Sequence, residues 1–341
     1  VTATAAILGC SGPKLTAEER AFFRRVKPWG FILFGRNVTN PDQVRALVDA
    51  LRDTVGRDDA PVLIDQEGGR VQRLGPPNWG RYPPGRAYGD LAGNDPLLRR
   101  EITRLGARLM AHDLKALGIN VDCAPVLDVP DPAGHEIIGD RAYGRTPDEV
   151  ALLGRAAAEG LIAGGVLPVI KHIPGHGRAM ADSHLQLPVV DASIEDLEAR
   201  DFAPFRMLSD MPLAMTAHVI YSAVDRKRPA TTSKKVMRGI VRGAIGFDGL
   251  VMSDDLSMKA LSGGFTERAE AARAAGCDVV LHCNGDMAEM KAVAASAGAL
   301  KGRAAERAAA ALARVARTPE PFDAAEARAR FDAAFEGRFA A

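Results

Sequence analysis

Sixteen residues, VIKHIPGHGRAMADSH from Val169 to His184, hold three of the chain's seven histidines together with Lys171 and Asp182. Elsewhere a series of apolar runs ends on charges or imidazoles. Asp65 follows PVLI, Asp128 follows APVL, Lys171 and His172 follow LPVI, and His218 follows AMTA. Asp254 and Asp255 follow LVMS, and His282 follows VVL. A charge at the end of a buried run is costly unless it is paired or used. Singly, each is explained as well by a cap or an ion pair; together they read as one polar site.

Three chemistries fit the 169–184 stretch: a zinc site, an anion cradle, or a general acid steadied by a carboxylate. In an extended segment residues i and i+2 face the same way. Asp182 is therefore expected to accept the Nδ1–H of His184, fix its tautomer and leave Nε2 aimed outward as a general acid/base. His172, His176, Asp182 and His184 are also competent zinc ligands. The spacing of His172 and His176, however, falls on a Pro174/Gly175/Gly177 turn and not on a helix face, so no metal is expected. The plainer alternative is a loop whose histidines cap neighbouring helices.

These residues need a scaffold that brings many strand ends together. Eight β-rich apolar runs occur, at 4–9, 29–34, 61–66, 119–129, 167–172, 212–220, 249–255 and 277–283. Most are continuously apolar, as strands covered on both faces should be. Helical patterns lie between them. Thr16 with Glu19 forms a capping box, and Asn40–Pro41 opens a helix that Gly56 ends. The segments beginning TPDEV, SIEDL and TSKKV follow the same grammar. Alternation of this kind predicts an α/β fold, and eight units predict a single (β/α)8 TIM-like barrel. No GxGxxG follows the first run, which disfavours a dinucleotide fold. The whole chain, 1–341, reads as one barrel domain. Its Ala/Arg/Glu-rich tail from about 287 to 341 is expected to supply the last barrel helix and one extra C-terminal helix. In such barrels chemistry sits at the C-terminal ends of the strands.

The bulk numbers set limits. The chain has 341 residues, 47% hydrophobic and 26% charged, with a net charge of +1, so neither a nucleic acid nor an anionic membrane is an expected partner. No apolar window is long enough to span a bilayer. Cys10, Cys123, Cys277 and Cys283 sit in apolar runs without a CxxC and are expected as buried free thiols, which suits a reducing, cytoplasmic setting. The opening VTATAAILGC lacks the basic region of a signal peptide and reads as a first strand.

Four motifs in order, LIDQEGGRVQRL, IGDRAYG, KHIPGHGRAMADSH and FDGLVMSDDLSM, resemble those of family 3 glycoside hydrolases, and more closely the single-domain bacterial β-N-acetylglucosaminidases of cell-wall recycling. The likeness spans about residues 30 to 285; Ile173 stands where the family usually has an aromatic. The resemblance implies a cofactor-free, cytoplasmic, retaining exo-β-N-acetylglucosaminidase; a monomer is expected. Its expected substrates are muropeptide-derived saccharides that carry 1,6-anhydro-N-acetylmuramic acid. It implies Asp254 as nucleophile, His184 as acid/base and Asp182 as its orienting partner. Asp65, Arg73, Arg141, Lys171 and His172 are implied as sugar contacts, with Glu67 and Arg70 closing the barrel top. His176 is expected to shape the loop and His282 to be structural, while His218 is left between a sugar contact and a supporting role. Three rivals remain at this point: a phosphorylase on the same scaffold, a zinc-dependent barrel hydrolase and a non-catalytic sugar-binding protein.

Overall fold

In the computed structural model the described residues are 2–91, 95–132, 134, 136–179, 183, 186–315 and 318–339. Eight parallel strands close into a barrel. We number them β1 (Thr4–Gly9), β2 (Pro28–Leu33), β3 (Val62–Ile64), β4 (Val121–Asp122), β5 (Leu167–Ile173), β6 (Leu213–Thr216), β7 (Leu250–Asp255) and β8 (Val279–His282). Each falls inside or within a residue of one of the eight predicted runs. β8 pairs with β1, Leu281 opposite Ile7, and so closes the cylinder.

The strand period of two decides what faces the axis. Ile7, Leu63, Val121, Leu167, Val169, Leu213, Met215, Leu250, Met252, Val279 and Leu281 form one buried interior cluster. Their neighbours, among them Leu8, Ile64, Ile170, Ala214 and Val251, belong to the outer cluster under the helices. Continuing the same parity upward places Asp65 above Leu63, Lys171 above Val169 and Asp254 above Met252. The register is irregular at two of these places, between Lys171 and Ile173 and between Met252 and Asp255. Such irregularities re-aim side chains at a barrel rim.

The helix starts follow their caps. Thr16 and Glu19 form the reciprocal box at Ala17–Val26, and Thr146 and Glu149 form another at Pro147–Ala163. Asn40 caps Pro41–Val55, which ends on Gly56 at φ +62°. Two predicted helices are less regular than their patterns suggest. The SIEDL segment breaks into Ile194–Asp196, a π turn over Leu197–Asp201 and Ala203–Met207. The TSKKV segment is wound as a π-helix over Val236–Ala244.

The tail differs from expectation by one element. Met287–Ala297 is the last barrel helix. Arg303–Val315 lies under the floor, where Ala308 and Ala311 join the interior cluster. Ala324–Ala334 packs on Pro96–Lys115, and its Phe331, with Phe335 just beyond, rings Tyr88. All four cysteines are buried and free.

Candidate active site

The strand ends converge on a cavity of about 190 Å³ lined by Asp65, Glu67, Arg73, Arg141, Lys171, His172, His176 and Asp254 among others. Of the sequence-derived set, Asp65, Arg73, Arg141, Lys171, His172 and Asp254 therefore share one wall-to-wall space. Asp182 and His184 lie outside the described residues; Ser183 between them lines the cavity.

One side of the cavity is a packed lattice of charge. Lys171 Nζ lies 2.9 Å from Asp65 Oδ1 and 2.6 Å from Glu67 Oε1. Arg141 grips both oxygens of Glu67, with Nε and Nη2 each at 2.8 Å, a bidentate pair. Arg73 Nη2 reaches Asp65 Oδ2 at 3.3 Å and its guanidinium lies over the Phe34 ring. Burial would raise the Glu67 carboxyl, but Arg141 and Lys171 overcome it and hold it far below the usual carboxylate range. Burial would likewise lower the Lys171 ammonium, but Asp65 and Glu67 drive it well above its ordinary value. Glu67 thus does more than close the barrel top: it is the central carboxylate of the cluster. Arg70, by contrast, holds the rim through the carbonyls of Glu136 and Ile137. Three cations face two carboxylates here, so the cluster presents one surplus positive charge to the cavity.

The floor behind it is set by Asp128, which is fully buried. It accepts the backbone N–H of His176 at 2.6 Å and of His172 at 3.2 Å, and bonds His172 Nδ1 at 2.7 Å. That fixes the His172 tautomer and leaves Nε2 to the cavity. His176 Nε2 lies 3.1 Å from Ser183 Oγ. The turn between them is tight: a Cβ on Gly177 would sit 1.8 Å from the Val129 carbonyl oxygen. His176 thus ties this loop to Asp128 through its N–H and to Ser183 through its ring.

The opposite side holds Asp254 and Asp255, which the structure separates. Asp255 is consumed locally: Oδ1 accepts the N–H of Ser257 at 3.0 Å and of Cys283 at 3.2 Å, and Oδ2 takes the Ser257 hydroxyl at 2.5 Å. Among the described residues Asp254 accepts only the Asp255 N–H, at 2.8 Å, and forms no ion pair. Burial would raise its carboxyl, yet His172, His218, the Asp255 amide and Lys171 together hold it below the ordinary range. It is an ionised carboxylate with a free oxygen, inside a cavity whose far wall is positive.

His218 does not line the cavity; it braces this strand end. Its Nε2 lies 3.0 Å from the Asp255 carbonyl, which can only accept, so Nε2 carries the proton. Burial lowers the pKa of the ring, which favours its neutral form. Nδ1 then accepts from Thr231 Oγ1 at 2.7 Å, Thr231 accepts from Thr216 Oγ1 at 2.7 Å, and Thr216 accepts the Asp254 N–H at 3.3 Å. The chain of bonds leaves the Asp254 amide and returns to the carbonyl of the next residue. Such one-way networks reinforce their members. Sequence reasoning found neither Thr216 nor Thr231. His282 bonds Glu289 Oε2 at 2.9 Å away from the cavity and is structural.

Among the described residues no cluster of three or more His, Cys, Asp or Glu side chains is arranged to hold a metal ion. The family model for the glycosyl hydrolase family 3 N-terminal domain matches residues 6–318. The chain belongs to glycosyl hydrolase family 3. It is therefore a glycoside hydrolase, acting on saccharides. A protein of Methylococcus capsulatus named β-hexosaminidase is 44% identical over 277 residues, 80% of each chain. Another of that name from Pseudomonas aeruginosa is 41% identical over 281 residues, 82% of each. Among solved structures of this family, NagZ from Neisseria gonorrhoeae in complex with N-trifluoroacetyl-D-glucosamine superposes with a TM-score of 0.81 at 32% identity, covering 98% of both chains. A family 3 β-N-acetylglucosaminidase from Paenibacillus sp. gives 0.84 at 32% identity, covering 97% of this chain and 67% of its own.

Proposed function

We propose that this chain is a retaining exo-β-N-acetylglucosaminidase that acts by double displacement. The observation that carries the reading is Asp254: an ionised carboxylate, without an ion-pair partner among the described residues, on the inward face of β7 and opposite a surplus of fixed positive charge. Such a group is placed to attack an anomeric carbon and form a covalent glycosyl intermediate. Asp65, with both oxygens turned toward cations at its back, presents acceptor capacity to sugar hydroxyls; Arg73, Arg141, Lys171 and His172 Nε2 supply donors. The proton that the departing oxygen needs is assigned to His184 held by Asp182, on their i,i+2 spacing in the sequence. The Asp–His pair would stand in for the second carboxylate that most retaining glycosidases use.

For substrate we propose a terminal non-reducing N-acetylglucosamine on muropeptide-derived, 1,6-anhydro-N-acetylmuramic acid saccharides, cleaved in the cytoplasm in the course of peptidoglycan recycling. Support comes from the names of the relatives and from the amino-sugar ligand in the Neisseria structure. No helix among the described residues is long and apolar enough to cross a membrane. The test is turnover of an aryl β-N-acetylglucosaminide against the matching β-glucoside, with the product anomer followed by NMR. Preference for the amino sugar and first formation of the β-anomer are expected. Preference for glucose, initial release of the α-anomer, or appearance of the sugar 1-phosphate in phosphate buffer would overturn the reading.

A further inference from the structure

Of the three cations that face Asp65 and Glu67, Arg73 is the least anchored by hydrogen bonds. Arg141 is held through three nitrogens, Nε and Nη2 on Glu67 at 2.8 Å and Nη1 on the Ile137 carbonyl at 3.1 Å. Lys171 sits between two carboxylates. Among the described residues the Arg73 guanidinium has one hydrogen bond, Nη2 to Asp65 Oδ2 at 3.3 Å, and its Nε is buried without a partner. Its backbone N–H is taken by Gln66 Oε1 at 3.0 Å, which fixes where the side chain starts and not where it ends. One long bond leaves a planar guanidinium free to turn about it.

The ring of Phe34 supplies what is missing. Arg73 Cζ lies 5.2 Å from its centroid and Arg36 Cζ 5.1 Å, each guanidinium over the ring. Both separations are inside the range in which a cation is drawn to an aromatic face, and at a partly desolvated site the attraction exceeds that at an open surface. Phe34 directly follows β2, is half-buried and lines the cavity. The residue is itself firmly held. Buried Asn37 accepts the Phe34 N–H with Oδ1 at 2.9 Å, and its Nδ2 donates to the carbonyls of Cys10 at 3.1 Å and Gly12 at 2.8 Å. Arg36 is fixed in turn on the Cys10 carbonyl at 3.0 Å and on the Cys283 carbonyl. The two like charges near one ring are thus each given an acceptor of their own, backbone carbonyls for Arg36 and Asp65 for Arg73.

The ring therefore belongs to the rim built from β1, β2 and β8, whereas Arg73 arrives from the hairpin of Gln66–Gly68 and Val71–Gln72. Their contact joins two pieces of chain that meet at the cavity. An aromatic ring in a sugar site is otherwise read as a platform for the C–H face of the sugar, but a ring face covered by a guanidinium is closed to that use. We infer that Phe34 is a positioning residue: its ring sets the plane of the Arg73 guanidinium, so that Nη2 holds Asp65 and Nη1 is left to a sugar hydroxyl. Phe34 then acts on substrate only through Arg73. The inference rests on the glycosidase reading above and adds a residue to its sugar clamp.

The test is a double-mutant cycle on an aryl β-N-acetylglucosaminide. It pairs Phe34→Leu, which keeps an apolar side chain and removes the ring, with Arg73→Met. Phe34→Leu alone is expected to lower kcat/KM by about 10-fold. The loss should be carried by KM, because a clamp on hydroxyls away from the reacting bond holds ground and transition states alike. In the Arg73→Met background the same substitution should cost less than about 2-fold. Phe34→Tyr, which keeps the ring, should stay near the parent. Losses that multiply in the double variant, as for a ring that stacks on the sugar or merely packs the rim, overturn the inference. So does a fall confined to kcat, or a Phe34→Leu variant indistinguishable from the parent. Should the parent turn over no glycoside, the glycosidase reading fails by itself. Urea unfolding of the same four proteins then decides the pair. A midpoint shift from Phe34→Leu that largely disappears without Arg73 supports the inference, and an equal shift with and without Arg73 overturns it.

Discussion

The two sides of the cavity use carboxylates in opposite ways. On the β3–β5 side, Asp65 and Glu67 are tied to Arg73, Arg141 and Lys171 within a shared lattice. On the β7 side, Asp254 pairs with no cation among the described residues and is held by its backbone through the Thr216–Thr231–His218 relay. Pairing makes a carboxylate a fixed acceptor, whereas lack of pairing in a positive field leaves it ionised and available. The same residue type thus becomes a clamp on one side and a nucleophile on the other, and the difference lies in what stands within 3 Å.

Removing the free carboxylate should have the largest effect on chemistry and little on stability. Asp254→Asn is expected to lower kcat by on the order of 10⁴-fold while the melting temperature stays near that of the parent, checked on an aryl substrate and by a thermal melt. Breaking the lattice should do the reverse in thermodynamic terms. Lys171→Met strands Asp65 and Glu67 without their shared cation, and is expected to cost about 3–5 kcal/mol in urea unfolding. A stability cost from Asp254→Asn as large as that from Lys171→Met would erase the distinction between the two sides.

Between them lies His176, which sharpens the comparison through pH. Burial, with help from nearby His172, pushes its pKa down from 6.5 to about 4. The unfolded chain then binds the extra proton first, so this contribution to stability is complete above pH 6.5 and is lost as pH falls toward 4. The loss is on the order of 3 kcal/mol. His176→Gln removes the titration and should flatten that part of the stability–pH curve, measured by urea unfolding between pH 7 and pH 4. The smallest effect is expected at the relay. Thr231→Val should lower kcat by about 10-fold, one hydrogen bond's worth, without raising KM. Thr231→Ser should restore it, and a change confined to KM would place Thr231 against substrate instead.

How much of this was legible beforehand follows from the range over which each feature is encoded. Strand ends were legible because apolar runs and their terminal charges are contiguous: LVMSDD displays Asp254 directly. Parity along a strand then sent Asp65, Lys171 and Asp254 inward. Capping boxes such as Thr16/Glu19 are likewise local. Partners were not legible where the chain supplies them from afar. Glu67 meets Arg141 across 74 positions, and in the sequence alone it reads as a rim residue. Thr231 reaches His218 across 13 positions and carries no motif. The separation of Asp254 from Asp255 depends on Cys283, which directly follows β8. The π turns at Leu197–Asp201 and Val236–Ala244 were hidden because they are defined by backbone i→i+5 pairing, which no residue type in these segments announces. The floor helix Arg303–Val315 was missed because an alanine-rich face reads the same under a barrel as on its flank.

The claim on which the account depends is that Asp254 forms the covalent bond to the sugar. A 5-fluoro β-N-acetylglucosaminide with a good leaving group slows breakdown of such an intermediate enough for mass spectrometry of the digested protein. One added fluoroglycosyl unit is expected on the peptide that contains Asp254, absent in Asp254→Asn. An adduct on a different carboxylate, or full turnover with inversion and no adduct, would contradict it.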